Sequence, residues 1–432
     1  MGTLNRQILR LALPSIVSNI TVPLLGLVDV AIVGHMGSPA YIGAISVGSM
    51  IFNVIYWVFG FLRMGTSGLT SQALGRRDLT AVVQMLCRSV TVGLVVALMI
   101  IVLQVPIRQL ALNVVAPEPE TSRLVVTYFN ICVWGAPAML ALSGLTGWYI
   151  GMQNTRVPMV VSIFQNVVNI VASLFLVYGC GMKVEGVALG TLTAQYAGVG
   201  LSVLLLSRFY SRLTKYFKRD GLFKFVKMLD FFRVNSDIFL RTVCLVAVNF
   251  YFLSAGSRQG TIILAVNTLL MQLFILFSYF LDGFAFAGEA LCGKHYGASN
   301  SQAFHQTIKR VMLWGWLTAC VFSAFYLIGG EAFLRLLTDE MQVVDAASSF
   351  FPWAVAVPLV GVTAFVWDGV FIGMTATRGM LLSSFLATVA FFAVYLLFRR
   401  GMGNHALWMA FVIFLAVRSV VQTAIFRKCY KK

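Results

Sequence analysis

Twelve apolar runs, each long enough to cross a bilayer, leave this chain little choice of architecture. They fall at 9–33, 42–66, 82–104, 124–148, 158–178, 184–206, 236–254, 260–284, 308–330, 346–370, 380–398 and 406–426. A bilayer core takes roughly 20 helical residues per crossing, and within it every backbone N–H and C=O must be paired inside the protein. Helices meet that demand segment by segment. A β-barrel meets it too, but reads as strands of about ten alternating residues, which these continuous runs do not resemble. The crossings take up most of the 432 residues, so the connecting loops are short and no sizeable soluble domain fits. Composition agrees, with 59% hydrophobic residues, 11% charged residues and a mean hydropathy of +0.87. The expected fold is an all-α polytopic membrane protein with twelve transmembrane helices.

The net charge of +17 would suggest nucleic acid in a soluble protein, but here its placement reports orientation. Loops after even-numbered crossings carry Arg76 and Arg77, then Arg156, a long basic stretch from Arg208 through Arg219 to Arg233, then Lys294, Lys309 and Arg310, and Arg378. The tail adds Arg427, Lys428, Lys431 and Lys432. By the positive-inside rule these loops and both termini are cytoplasmic. The opposite loops carry Glu118, Glu120, Glu331, Asp339, Glu340 and Asp345, with Arg399 and Arg400 as the exception. Residues 1–10 run into the first crossing without a small-residue cleavage site and are read as retained. The seven Cys show no CxxC spacing and read as small hydrophobes.

The basic stretch divides the chain into halves, 1–220 and 221–432, and the halves repeat at an offset of 222 residues. Gly147-Trp-Tyr-Ile-Gly-Met-Gln-Asn-Thr-Arg156 answers Gly369-Val-Phe-Ile-Gly-Met-Thr-Ala-Thr-Arg378, Gly75 answers Gly297, and Asp78 answers Asn300. An even number of crossings per half gives both copies the same orientation in the membrane, a parallel repeat about an axis along the membrane normal. Two six-helix lobes related by pseudo-two-fold symmetry are therefore expected, facing a central cavity.

Polar residues inside such helices mark function by default. In the first crossing Ser15, Ser18, Asn19, Val22, Gly26 and Asp29 lie within about 100° of one another on a helix, which gives the one intramembrane acid of that crossing a polar stripe. Its structural reading is a helix-end cap. Asn166, Asn169 and Ser173 share a face of crossing 5, beside Gln165; crossing 6 adds Thr191 and Gln195, and crossing 2 adds Asn53 and Tyr56. Together they suit an oxygen-lined cavity for a monovalent cation or a proton relay, although small polar residues also serve as helix contacts. In the second half, Asp237 and Arg241 at i,i+4 read as a salt bridge. Asp282 and Glu289 share a face, and Glu289 is placed to pair with Lys294. Asp368 stands beside Gly369 in the repeated motif, as a cavity acid or as a brace. Arg63 and Arg241 are read as nearly the only membrane-embedded arginines. Arg63, Gly75, Gly151, Asp282, Gly297 and Gly373 are assigned structural or gating roles. Trp148, Trp367 and Trp408 are among the tryptophans read as interfacial anchors or cavity walls.

No hydrolytic machinery is present. There is no GxxxxGK[ST], HExxH or nucleophile elbow, and His35, His295, His305 and His405 have no ligand spacing. The chain is not read as an enzyme, and uphill transport has to draw on an ion gradient.

Three stretches resemble one family: Val28-Asp29 with Val33-Gly-His-Met-Gly37, Phe59 to Arg77, and Trp367 to Arg378. Their order and spacing over nearly the whole chain are similar to the MATE (multidrug and toxic compound extrusion) antiporters, in the DinF-like branch. The resemblance implies MATE-like lobes in a V and export of organic cations or other toxic amphiphiles in exchange for H+ or Na+. The family's first-crossing acid falls on Asp29 and its fifth-crossing Asn on Asn169. Where the family often has an Asp four residues later, this chain has Ser173. The implied ion-coupling set is thus Asp29, Asn169, Ser173 and Thr191, with Na+ near Asp29 the only metal contemplated. Asn53, Tyr56, Asn166, Gln195 and Asp368 are expected to line the substrate cavity. A monomer in the plasma (inner) membrane is expected, in contact with lipid, with no nucleic-acid partner and no cofactor besides the coupling ion. A flippase or exporter of lipid-linked precursors or polysaccharide is the alternative, and it calls for a wider cationic groove.

Overall fold

A computed structural model describes residues 2–34, 38–218, 220–337 and 340–429. His35, Met36 and Gly37 of the first motif, Arg219, Asp339, Lys431 and Lys432 lie outside the described residues. Every regular element among the described residues is helical. In order these are α1 (Gly2–Gly34), α2 (Pro39–Val58), α3 (Phe61–Gly75), α4 (Leu79–Val102), α5 (Gln104–Val115), α6 (Pro119–Cys132), α7 (Ala136–Gly151) and α8 (Arg156–Leu174). There follow α9 (Val184–Tyr210), α10 (Phe225–Ser257), α11 (Thr261–Gly297), α12 (Ser301–Leu337), α13 (Met341–Ser348), α14 (Phe351–Gly373), α15 (Thr377–Met402) and α16 (Asn404–Cys429).

Eleven helical stretches among the described residues are long and apolar enough to span a membrane, and they correspond in order to the second through twelfth crossings. The first crossing lies in α1. Two of the stretches are bent pairs: α2 and α3 meet at Phe59 and Gly60, and α6 and α7 meet through a 3-10 turn at Val133–Gly135. Several helices outrun their apolar cores. α11 continues to Gly297, well past the expected end near 284, because small and polar residues carry the helix beyond the hydrocarbon.

The chain packs into two compact units, one of Met1–Ile16 with Phe232–Lys432 and one of Val17–Phe231. The first turns of α1 thus belong by contact with α11, where Gly283 comes against the Ala12 carbonyl. The core of the 232–432 unit gathers Phe252, Phe277, Tyr326, Phe391, Trp408 and Phe411. Trp148, Trp367 and Trp408 are buried and hydrogen-bonded to Val82 O, Thr423 and Asn267 respectively, so these three brace helices and do not mark an interface.

The repeat is a geometric one. α3 and α11 end alike: the N–H of Arg77 and of Asp78 donate to Leu74 O and Ala73 O, and Ser299 and Asn300 do the same to Tyr296 O and His295 O, all at 3.0 Å. Arg77 and Ser299 hold the left-handed conformation that such helix ends use, with φ of 59° and 53°. Asp78 and Asn300 then cap the next helix, accepting from Ala81 N at 2.9 Å and Ala303 N at 3.0 Å. α7 and α14 end in the same way through Gln153 and Thr375, with φ of 62° and 54°. Each pair is separated by the same 222 residues.

The glycines of the repeated motif explain its sequence. A Cβ on Gly147 would overlap the carbonyl of Arg63, and one on Gly369 that of Ala285, again at equivalent positions. Backbone approaches of this kind are how membrane helices pack without a hydrophobic drive between them. Gly147→Val and Gly369→Val are therefore expected to abolish recovery of monodisperse protein in detergent. Gly401→Ala, facing open space, should leave recovery and thermal midpoint unchanged.

Candidate functional site

Three contacts set α1 beside α8 and the turn Phe175–Gly179 that follows it, running in the same direction. The Thr21 and Ser162 hydroxyls lie 2.8 Å apart, Asn166 Nδ2 donates to Thr21 O at 2.8 Å, and Tyr178 OH donates to Ile32 O at 3.2 Å. At 1.5 Å rise per residue, Asp29 is roughly 12 Å beyond Thr21 and Ser173 roughly 10 Å beyond Asn166. The acid and the serine therefore stand at one height, with Asn169 one turn before the serine. The repeat offers a comparison from the other half. At the 222 offset Asp29, Asn169 and Ser173 fall on Tyr251, Phe391 and Tyr395, and the Tyr251 ring lies 6.2 Å from Phe391 and 5.6 Å from Tyr395. In the second half that corner is filled with aromatic rings; in the first it is polar.

Asp29 is 3% exposed, and its Oδ1 is buried without a hydrogen-bond partner among the described residues. Asn169 is fully buried and donates through Nδ2 to Thr191 Oγ1 at 3.0 Å, which leaves its Oδ1 unpartnered. Ser173 is fully buried and its Oγ has no partner; it rests on Gly190 of α9, where a Cβ would overlap the hydroxyl. Gln195 sits one turn after Thr191, over Gly135, with Oε1 buried and unpartnered. Unpaired buried acceptors are rare and call for an explanation. These are oxygens of a carboxyl, two amides and a hydroxyl, a donor type that suits a hard cation or a proton. Among the described residues no three His, Cys, Asp or Glu cluster in the way a transition metal needs.

The remaining expected residues divide. Asn166 is committed to Thr21 O, and Tyr56 is half-buried against Phe52 with a buried, unpartnered hydroxyl. Asn53 is exposed on α2 and does not join the group. Arg63 is half-buried, and its carbonyl faces Gly147. Gly75 and Gly297 are the last residues of α3 and α11, and Gly151 and Gly373 pack against the carbonyls of Ser67 and Glu289. Asp282 is half-buried on α11 and acts electrostatically on Arg418.

Asp368 belongs to the other unit and is fully engaged. Its Oδ2 accepts from Arg241 and, at 2.5 Å, from Arg418, and its Oδ1 accepts from Gln422 at 2.7 Å. This corrects the pairing of Asp237 with Arg241. Arg241 reaches across to α14, where a desolvated carboxylate binds it more strongly than a neighbour on its own helix, and Asp237 instead accepts from Thr377 at 2.7 Å. It also corrects the count of embedded arginines, since Arg418 is 3% exposed and Arg88 is 1% exposed. Arg418 and Gln422 carry a signal that sequence reasoning could have used, an arginine in the middle of the last crossing with an amide four residues on.

The two acids should answer differently to neutralisation. Asp368→Asn strands two buried guanidinium groups and is expected to cost on the order of 3–5 kcal/mol, read as a lower thermal midpoint in detergent. Asp29→Asn strands no cation and should leave the midpoint near that of the parent.

Comparison with known proteins adds to this geometry. The family model described as MatE matches residues 14–175 and 238–397. The chain is 36% identical over 430 residues to DNA damage-inducible protein F of Escherichia coli (strain K12), covering 99% of this chain and 93% of that one. Its fold is similar to a crystal structure of MATE in the bent conformation, with a TM-score of 0.88 at 19% identity over 98% of this chain and 95% of the other. It is also similar to the outward-facing conformation of a multidrug resistance MATE family transporter of the MOP superfamily, with a TM-score of 0.87 at 18% identity and the same coverage.

Proposed function

The chain belongs to the MatE family of multidrug and toxic compound efflux transporters, and on that premise we propose that it is an antiporter exchanging H+ or Na+ for organic cations or other toxic amphiphiles, with Asp29 as the coupling group. The observation that carries this reading is the unpaired oxygen set of Asp29, Asn169 and Ser173 in one unit, set against the saturated Asp368 in the other. A carboxyl with no protein counter-charge takes up a proton or holds a cation, and whichever it takes can be exchanged. A carboxylate held by two arginines keeps its charge throughout.

Coupling requires that ion and substrate favour different states of the protein, with reciprocal effects on each other's affinity. In the proposed cycle the outward-open form loads the ion at Asp29, and Asn169, Ser173 and Thr191 supply neutral oxygens around it. Loading repacks α1 against α8 and α9 and weakens the hold on substrate. After substrate leaves, the loaded protein turns inward and releases the ion. An ion moving down the membrane potential yields about 2.3 kcal/mol per 100 mV, enough to drive export uphill. On this reading both termini are cytoplasmic by the positive-inside rule, and the transporter acts as a monomer in the inner membrane.

The flippase alternative is not favoured. Arg241 and Arg418 are both committed to the buried Asp368, and Arg88 is occupied by main-chain carbonyls, so these three arginines form no groove for phosphate headgroups.

In proteoliposomes given a H+ or a Na+ gradient separately, the parent should accelerate efflux of a fluorescent organic cation under one of the two. Asp29→Asn should lower the gradient-driven rate by at least about tenfold, roughly 1.4 kcal/mol in the coupling step. A folded variant with undiminished gradient dependence would show that Asp29 is not the coupling group. Ser173→Asp should shift the preference between the two gradients if Ser173 belongs to the site.

A further inference from the structure

The stretch that joins the two halves is the longest basic segment of the chain. Over 208–227 it has seven Lys or Arg against one acid, Asp220, with six aromatic residues interleaved. Positive charge alone marks the side of the membrane on which a loop stays, and such a signal needs no fixed conformation. The segment's described residues, 208–218 and 220–227, hold one. Arg88, buried on α4, donates through Nε to Leu222 O at 2.5 Å and through a terminal nitrogen to Gly221 O at 2.9 Å. One turn earlier Gln84 donates to the carbonyls of Lys218 and Asp220, both at 3.2 Å, and its Oε1 accepts from Arg88 at 3.2 Å and Lys227 at 3.4 Å. Leu222 is seated in the protein by this anchorage.

Either side of that anchor the side chains turn outward. Lys215, Lys218 and Lys224 are exposed, and so are Tyr216, Phe217, Phe223 and Phe225 beside them. The segment takes in the end of one spanning stretch, Val184–Tyr216, and the start of the next, Phe225–Ser257, so it belongs at the edge of the bilayer. Exposed aromatic rings alternating with lysines, held at that edge, match an interface whose acyl boundary accepts rings and whose headgroups are anionic.

We propose that residues 208–227 form a lipid-binding collar, anchored by Arg88 and Gln84, that takes acidic phospholipid headgroups between its exposed lysines. Each lysine near an anionic surface strengthens binding by about fivefold, an effect that salt screens.

The test uses the full-length protein in lipid nanodiscs and reads chymotrypsin cleavage at Tyr216, Phe217, Phe223 and Phe225, a readout independent of transport. Discs containing phosphatidylglycerol should slow cleavage at least about fivefold relative to phosphatidylcholine alone, and high salt should remove the difference. The variant K215Q/K218Q/K224Q, checked for an unchanged thermal midpoint in detergent, should be cleaved equally fast in both lipids. Equal cleavage of the parent in the two lipids overturns the proposal, as does protection that survives the three substitutions. Equal protection in detergent by glycerol 3-phosphate would overturn it as well, since the site would then be one for soluble phosphate.

Discussion

A carboxylate carried into hydrocarbon must be neutralised, and the protein, a proton or a cation can do it. At Asp368 the protein does so, with Arg241, Arg418 and Gln422 donating to its two oxygens. That cluster ties α10, α14 and α16 together, and its charge is spent on holding helices in register. At Asp29 no ion pair forms among the described residues, and one carboxyl oxygen is left without a partner there. On the proposed reading the neutralising charge at Asp29 comes from solution, and who supplies that charge separates a structural acid from a coupling acid.

The duplicated scaffold shows how such a division arises. The helix-ending turns at Arg77 and Ser299, and at Gln153 and Thr375, are the same turns, down to the hydrogen bonds that close them. The carbonyl-to-glycine approaches at Gly147 and Gly369 are likewise shared. Polar content is not. Asp29, Asn169 and Ser173 correspond to Tyr251, Phe391 and Tyr395, while Asp368, Arg241 and Arg418 correspond to Thr146, Asn19 and Tyr196. Backbone geometry has been kept in both halves, and none of the charged residues Asp29, Asp368, Arg241 and Arg418 has a charged counterpart in the other half.

Much of this was legible in the sequence because membranes impose periodic demands. The crossings follow from the need to bury apolar length, and the repeat shows in Gly, Thr and Arg positions that turns and close approaches constrain. Asp29 and Asn169 stood out because polar residues are scarce in such helices. Asn169 and Thr191 do meet, at 3.0 Å. What stayed hidden depended on which helices become neighbours. Nothing local in Arg241 says that it prefers Asp368, 127 residues away, to Asp237 one turn off. Arg418 lies in a run whose mean hydropathy masks it, and Arg88 finds main-chain carbonyls, which no sequence pattern announces. Asn53 lies exposed on α2, a placement set by how its helix packs and not by its spacing in the sequence.

The central claim is that Asp29 alone among these acids changes its bound ion during transport. Infrared difference spectroscopy of the purified protein tests this directly, by recording the carboxyl band on addition of an organic-cation substrate. The account predicts a substrate-induced carboxyl signal in the parent, absent in Asp29→Asn and retained in a folded Asp368→Asn protein. A signal that persists in Asp29→Asn, or vanishes only in Asp368→Asn, would contradict it.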